Sequence, residues 1–136
     1  MDVLKAMMVG ASGMKAQSAR MRIIAQNMAN SGSTGAAPGE EPYRRQVPII
    51  ASAFDRELDV HMVEMAEPQR DQSGFGKKYD PGHPAADKDG YILTSNVNGL
   101  IESMDLKEAQ RSFESNLNVI QMSRRMMAGV IDLLNS

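Results

Sequence analysis

Apolar and small residues recur at alternating steps of three and four near the start of the chain, at Leu4, Met7, Ala11, Met14, Ser18, Met21, Ala25 and Met28. This is a heptad seam, and it predicts one helix over residues 3–30, about 42 Å long at ~1.5 Å per residue. Asn30, Ser31 and Gly32 supply its stop, because Asn and Gly tolerate the left-handed conformation that closes a helix. A second stripe, Leu106, Ala109, Phe113, Leu117, Ile120, Met127, Ile131 and Leu134, predicts a helix over 103–134 of roughly 48 Å. Arg124 interrupts that stripe, laying its stem over the seam while its head reaches water. The pattern therefore gives a mainly α fold with a small β module: long N- and C-terminal helices as a coiled-coil pair, and a short β-rich insertion between them.

The middle of the chain has a different rhythm. "SGSTGAAPGEEP" (31–42) has the composition of a flexible linker, "YRRQVPII" and "LDVHMVEM" read as short strands, and Pro48 makes the first an edge or an interrupted strand. "DQSGFGKKYDPGHP" is rich in turn residues and predicts a loop, and "GYILTSNVNG" is a further strand that closes on Asn-Gly. The domain organisation expected is 1–30 as an N-terminal axial helix, 31–100 as linker and β-rich module of three or four strands, and 101–136 as a C-terminal axial helix packed on the first.

Burying a seam built partly of Ala and Ser does not offset the cost of ordering a helix this long, so both helices are expected to need partners. Gly10 and Gly13 weaken the first helix further and, with Ala6, leave a narrow surface that lets another backbone approach. The terminal arms are expected to be weakly ordered alone and to fold against neighbours.

Composition narrows the function. Cysteine is absent and Met numbers 12 among 136 residues, which removes disulfides, thiolate sites and cysteine nucleophiles and favours adaptable helix contacts. The net charge is -2, and no block is basic enough for nucleic acid. The apolar run Ala6 to Met14 is too short to span a membrane. It faintly imitates a secretory signal, but the helical seam runs through any cleavage point, so no signal peptide is expected.

Candidate chemistry is sparse. Asp80, His83, Asp87 and Asp89 are the only grouping from which a metal site could be argued, and they lack the closing Glu of a calcium loop. Pro81, Gly82 and Pro84 explain the stretch as a stiff turn. His61 has no nucleophile beside it, the serines lie in no nucleophile-elbow motif, and catalysis and cofactors are not expected. Arg44 and Arg45 beside Glu40 and Glu41 read as a solvated lead-in to a strand.

Together these residues resemble the bacterial flagellar basal-body rod proteins, and within them the proximal-rod branch, over nearly the whole chain. "ASGMKAQSARMRIIAQNMANSGSTG" is similar to the N-terminal hallmark of axial proteins, through Ser12, Gly13, Asn27, Asn30 and Gly35. "PYRRQ", with Tyr43, resembles the strand that follows. "YDPGHPAADKDGYILTSNVN" carries the most specific likeness, through Tyr79, Asp80, Pro81, Gly82, His83, Pro84, Gly90, Tyr91, Asn96 and Asn98. "ESMDLKEAQRSFESNLNVI" resembles the C-terminal motif, with Ser103 where Met is usual and Phe113 where Tyr is common.

The resemblance implies a structural subunit of the periplasm-spanning drive shaft that transmits motor torque, and not an enzyme. It implies export through the flagellar type III apparatus without signal cleavage, and assembly with copies of itself, other proximal and distal rod proteins and the adaptor to the MS ring. The assembly interface implied is Leu4, Met7, Ala11, Met14, Met21, Ala25 and Met28 with Leu106, Phe113, Leu117, Ile120, Met127, Ile131 and Leu134. The alternative is a helical export chaperone or adaptor of the same system, which shares the seams but is a stable monomer or dimer.

Overall fold

The computed structural model describes residues 2–136. The element order is α1 (Val3–Ala29), β1 (Gln46–Asp55), β2 (Val60–Arg70), β3 (Gly76–Tyr79), β4 (Tyr91–Thr94) and α2 (Gly99–Asn135). Two long terminal helices thus flank a small β insertion. The strands form two two-stranded ribbons, β1 with β2 and β3 with β4. In such ribbons every strand has an unpaired edge, which accommodates Pro48 in β1 and Pro68 in β2.

α1 begins on Asp2, whose side chain accepts from the Leu4 N–H at 3.3 Å and whose carbonyl accepts from Ala6 at 3.1 Å. Its end corrects the expected left-handed stop. Among the described residues only Asp59, Gly39 and Gly90 have positive φ. Side chains close the helix instead: Asn30 Nδ2 donates to the Gln26 carbonyl at 2.8 Å and Ser31 Oγ to that of Met28 at 2.9 Å, occupying carbonyls that the helix end leaves open. α2 starts earlier than the apolar stripe implied. Asn98 Oδ1 accepts from Leu100 N at 3.0 Å and Ile101 N at 3.3 Å, an N-cap that the stripe could not reveal because it begins only at Leu106.

β1 and β2 begin later and end later than expected, β4 covers only Tyr91–Thr94 of the strand expected there, and the expected loop contains β3. Gly76, Lys77, Lys78 and Tyr79 pair antiparallel with Thr94, Leu93, Ile92 and Tyr91. β3 is short and exposed along its length, so it has no apolar alternation to read. Between β1 and β2, Asp55 Oδ1 accepts from Glu57 N and Leu58 N at 2.9 and 3.1 Å, and Asp59 takes a φ of 53° to complete the turn.

Two compact units emerge. The first holds the chain up to Met21 with Ile49–Glu67 and Lys107–Ser136, and the second holds Arg22–Pro48 with Pro68–Leu106. In the first, α1 and α2 touch antiparallel: Gly13 lies against the Asn116 side chain, Gly10 against Ile120, and Arg20 pairs with Glu108 at 3.1 Å. Ala16 and Ala109 are its buried apolar residues. In the second, the buried apolar residues are Ile24, Ala85 and Ile92.

Candidate functional site

The densest side-chain network lies in the second unit and is built around Asn27, which is 0% exposed. Its Nδ2 donates to the Gln46 carbonyl at 2.8 Å and to Glu102 Oε2 at 3.2 Å, while Oδ1 accepts from Tyr43 Oη at 2.8 Å and Gln46 N at 3.0 Å. An amide has two donors and one carbonyl with two lone pairs, so Asn27 is fully satisfied. The last turn of α1 carries it, and Gln46 begins β1.

Glu102, also 0% exposed, receives Arg45 Nε on its other oxygen. Arg45 further reaches Asp71 at 3.4 Å and Asp105 at 3.6 Å, and its backbone N–H donates to Asn96 Oδ1 at 2.7 Å. Asn96 Nδ2 reaches the carbonyls of Asp71 and Ser73 at 3.2 and 3.3 Å. Arg44 donates to the same two carbonyls, at 2.9 and 3.1 Å, and stacks 4.3 Å over the Phe75 ring. The pair expected as a solvated lead-in is therefore anchored. Arg44 also meets its neighbour Glu41 at 3.6 Å, whereas the partners that hold Arg45 lie far along the chain at Asp71, Glu102 and Asp105.

The electrostatics follow from this geometry. Burial opposes the Arg45 charge, but the hydrogen bond and charge of Glu102, then those of Asp71, outweigh it and hold the guanidinium pKa above its ordinary value. Hydrogen bonds from the Ser73 N–H and hydroxyl, then Arg45, hold the Asp71 carboxyl below the usual range. Burial raises the pKa of the Tyr43 hydroxyl, and the Glu102 charge adds to this. The cluster joins the end of α1, the start of β1, the segment after β2 and the first turn of α2, and its chemistry is that of a structural clamp.

A second group of motif residues forms the turn between β3 and β4. Asp87 Oδ1 accepts from Asp89 N and Tyr91 N, both at 2.9 Å. His83 Nδ1 accepts from Ala85 N at 3.0 Å, which leaves Nε2–H to donate to Thr34 Oγ1 at 3.3 Å. Asp80 N donates to the Gly90 carbonyl at 2.9 Å, and the rings of Tyr79 and Tyr91 meet edge to face with centroids 5.3 Å apart. Gly90 has φ 83°, and a Cβ there would lie 2.8 Å from the Tyr79 ring and 3.1 Å from Pro81. Pro81, Gly82 and Pro84 fill the rest of the turn. The side chains of His83 and Asp87 thus hold the backbone of the turn, Asp80 and Asp89 join it through their N–H groups, and among the described residues no cluster of three or more metal-ligating side chains forms.

The stretch expected as a free linker is tied to this turn. Thr34 bridges Thr94, Ser95 N donates to the Ser33 carbonyl at 3.2 Å, and Glu40 Oε2 accepts from Ala36 N and Ala37 N, both at 3.1 Å. A Cβ on Gly35 would fall 2.3 Å from the Glu40 carbonyl oxygen, which explains the Thr-Gly of the motif. In the first unit, Ser12 Oγ donates to the Val9 carbonyl at 2.7 Å and accepts from Val63 N at 3.1 Å, fastening α1 to β2.

The heptad positions lie beside the row that the chain buries. On α1 the buried residues are Gly10, Gly13, Ala16, Ile24 and Asn27, with Arg20 half-buried among them. Most of these sit one residue ahead of the seam, a rotation of about 100°. Met7, Met14, Met21 and Met28 are half-buried, and Leu4, Ala11 and Ala25 are exposed. On α2, Leu106, Phe113, Leu117 and Ile120 are half-buried beside Ala109, and Met127, Ile131 and Leu134 are exposed. Small side chains on the buried row of the first unit allow close helix approach, which leaves the bulkier Met row at its flank. The signal for that row was present in Gly10 and Gly13.

Comparison with known proteins agrees with the motifs. The family model described as flagellar basal body rod FlgEFG protein C-terminal matches residues 88–133. The flagellar basal-body rod protein FlgC of Agrobacterium fabrum is 43% identical over 128 residues, covering 94% of this chain and 92% of its own. FlgC of Borreliella burgdorferi is 33% identical over 151 residues, covering 98% and 99%. FlgC of Salmonella typhimurium is 31% identical over 134 residues, covering 98% of each. These likenesses span both helices, the clamp and the turn, and the chain belongs to the FlgC family of flagellar basal-body rod proteins.

Proposed function

We propose that this chain is a structural subunit of the proximal flagellar rod, built into the drive shaft through its terminal helices. The observation that carries the reading is apolar surface that one chain leaves uncovered. Leu4 on α1 and Met127, Ile131 and Leu134 on α2 are exposed, as are Met122, Met126, Val130 and Leu133. A helix end that is apolar on several faces is stable in water only when other protein covers it. Neighbouring rod subunits supply that cover.

In this reading α1 and α2 pair as a coiled coil, residues 1–30 and 101–136 are the axial arms, and residues 31–100 form the module outside them. The Asn27 and Arg45 cluster stiffens the junction of arms and module, which suits a part that carries torque. The chain leaves the cytoplasm through the flagellar type III apparatus without signal cleavage, and meets copies of itself, other rod proteins and the adaptor to the MS ring in the periplasm. No described helix is long and apolar enough to cross a membrane. The role requires no catalytic group.

The test is a charge placed on each seam. Met14→Glu and Leu117→Asp are expected to give exported but unincorporated protein and non-motile cells. Normal rods and normal swimming in both variants would refute the assembly role of the seams.

A further inference from the structure

Within the first unit, α1 and the β1–β2 hairpin line an open groove of about 750 Å³. Its lining is mostly apolar, with Met8 and Ala11 from the helix and Phe54, Met62 and Met65 from the hairpin. Three charges interrupt it: Lys15 on the helix side, and Asp55 and Glu64 on the hairpin side. Methionine side chains make such a groove adaptable to an inserted apolar helix.

The same unit leaves the end of α2 without a helix alongside it. The contacts of Gly13 with Asn116 and of Arg20 with Glu108 set an antiparallel register. Continued to Val3 at the helical rise, it brings the start of α1 level with roughly residue 125 of α2. Every residue from Arg124 to Ser136 is exposed, including Val130, Ile131 and Leu134. The overhang is about ten residues, or ~15 Å. α2 is unbroken to Asn135, so this tip cannot turn back into its own groove.

The charges of tip and groove are complementary. The tip carries Arg124 and Arg125 at one end and Asp132 about two turns away, against two acidic residues and one lysine in the groove. We propose that the α2 tip of a second copy of this chain seats in the groove, an inference that rests on the rod reading and names one contact within it. Val130, Ile131 and Leu134 lie against Phe54, Met62 and Met65, Arg124 and Arg125 face Asp55 and Glu64, and Asp132 faces Lys15. Tip and groove are different surfaces of one chain, so the contact is heterologous and passes from copy to copy without closing on a dimer.

The chain has no cysteine, so paired thiols can be introduced cleanly. Basal bodies carrying Met65→Cys together with Leu134→Cys, treated with a short bis-maleimide, are expected to yield a ladder at multiples of this chain's own mass, with none from either single variant. Incorporated chain that forms no ladder, or that links only to a protein of another mass, would overturn the docking contact and leave the rod reading standing. Absence of the unmodified chain from basal bodies would overturn the rod reading itself. If the cysteine pair blocks incorporation, charge reversal decides: Lys15→Asp is expected to abolish swimming and Lys15→Asp with Asp132→Lys to restore it. A double variant as immotile as the single, or a single variant that swims normally, would overturn the inference.

Discussion

Asn27 uses every donor and acceptor it has, so replacement leaves several buried partners unmatched. Asn27→Ala should destabilise the purified chain by about 3 kcal/mol or more in urea denaturation, since each orphaned buried polar group costs about 1–3 kcal/mol. Asn27→Asp should be worse near neutral pH, because it sets a second carboxylate against Glu102, and should recover part of the loss as the solution is made acidic. An Asn27→Asp chain as stable as the original at pH 7 would contradict this account of the clamp. Asp71 adds a pH dependence of its own. Its folded pKa lies below the unfolded value, so its contribution is present above about pH 3.9 and is lost as pH falls through the folded value. Asp71→Asn should therefore flatten the acid limb of the stability profile, and an unchanged limb would contradict the assignment. Gly90→Ala should cost more than Gly13→Ala in thermal denaturation. The first combines a φ of 83° with contact against the Tyr79 ring, whereas the second meets the end of the Asn116 side chain, which can move. Asn27, Tyr43, Asn96 and Glu102, which opens the C-terminal motif, were legible as motif residues, but Asp71 and the pairing of both acids were not. Their partner Arg45 is distant in sequence, and one chain offers no signal for such a pairing.

At the scale of elements, both helices were legible because a period of three and four held for many turns is hard to produce otherwise. The bounds and the buried face were less so. Apolarity marks the Met row, while close approach of two helices selects the small residues Gly10 and Gly13, each one position earlier, together with Ala16. β3 escaped notice because exposed Gly76, Lys77, Lys78 and Tyr79 carry no alternation, and β4 supplies the pairing that makes them a strand. The α2 overhang should behave differently from the rest of its helix. A helical end without tertiary cover is marginal in water, so amides of residues 126–135 should exchange rapidly in the purified chain while those of 106–120 are protected. Equal protection of the two segments would contradict the view that the tip is ordered by neighbours.

At the scale of the molecule, long helices with uncovered apolar surface and a polar clamp around Asn27 describe a part made to be built into something larger. The central claim is that the chain is a rod subunit assembled through its terminal helices. It is tested most directly by purifying hook-basal bodies from the native host and measuring this chain in them by mass spectrometry. The account predicts the chain at levels stoichiometric with other rod proteins, with its N-terminal peptide intact apart from removal of the initiator Met. A chain found only in the cytoplasm, as a chaperone or adaptor would be, would contradict it.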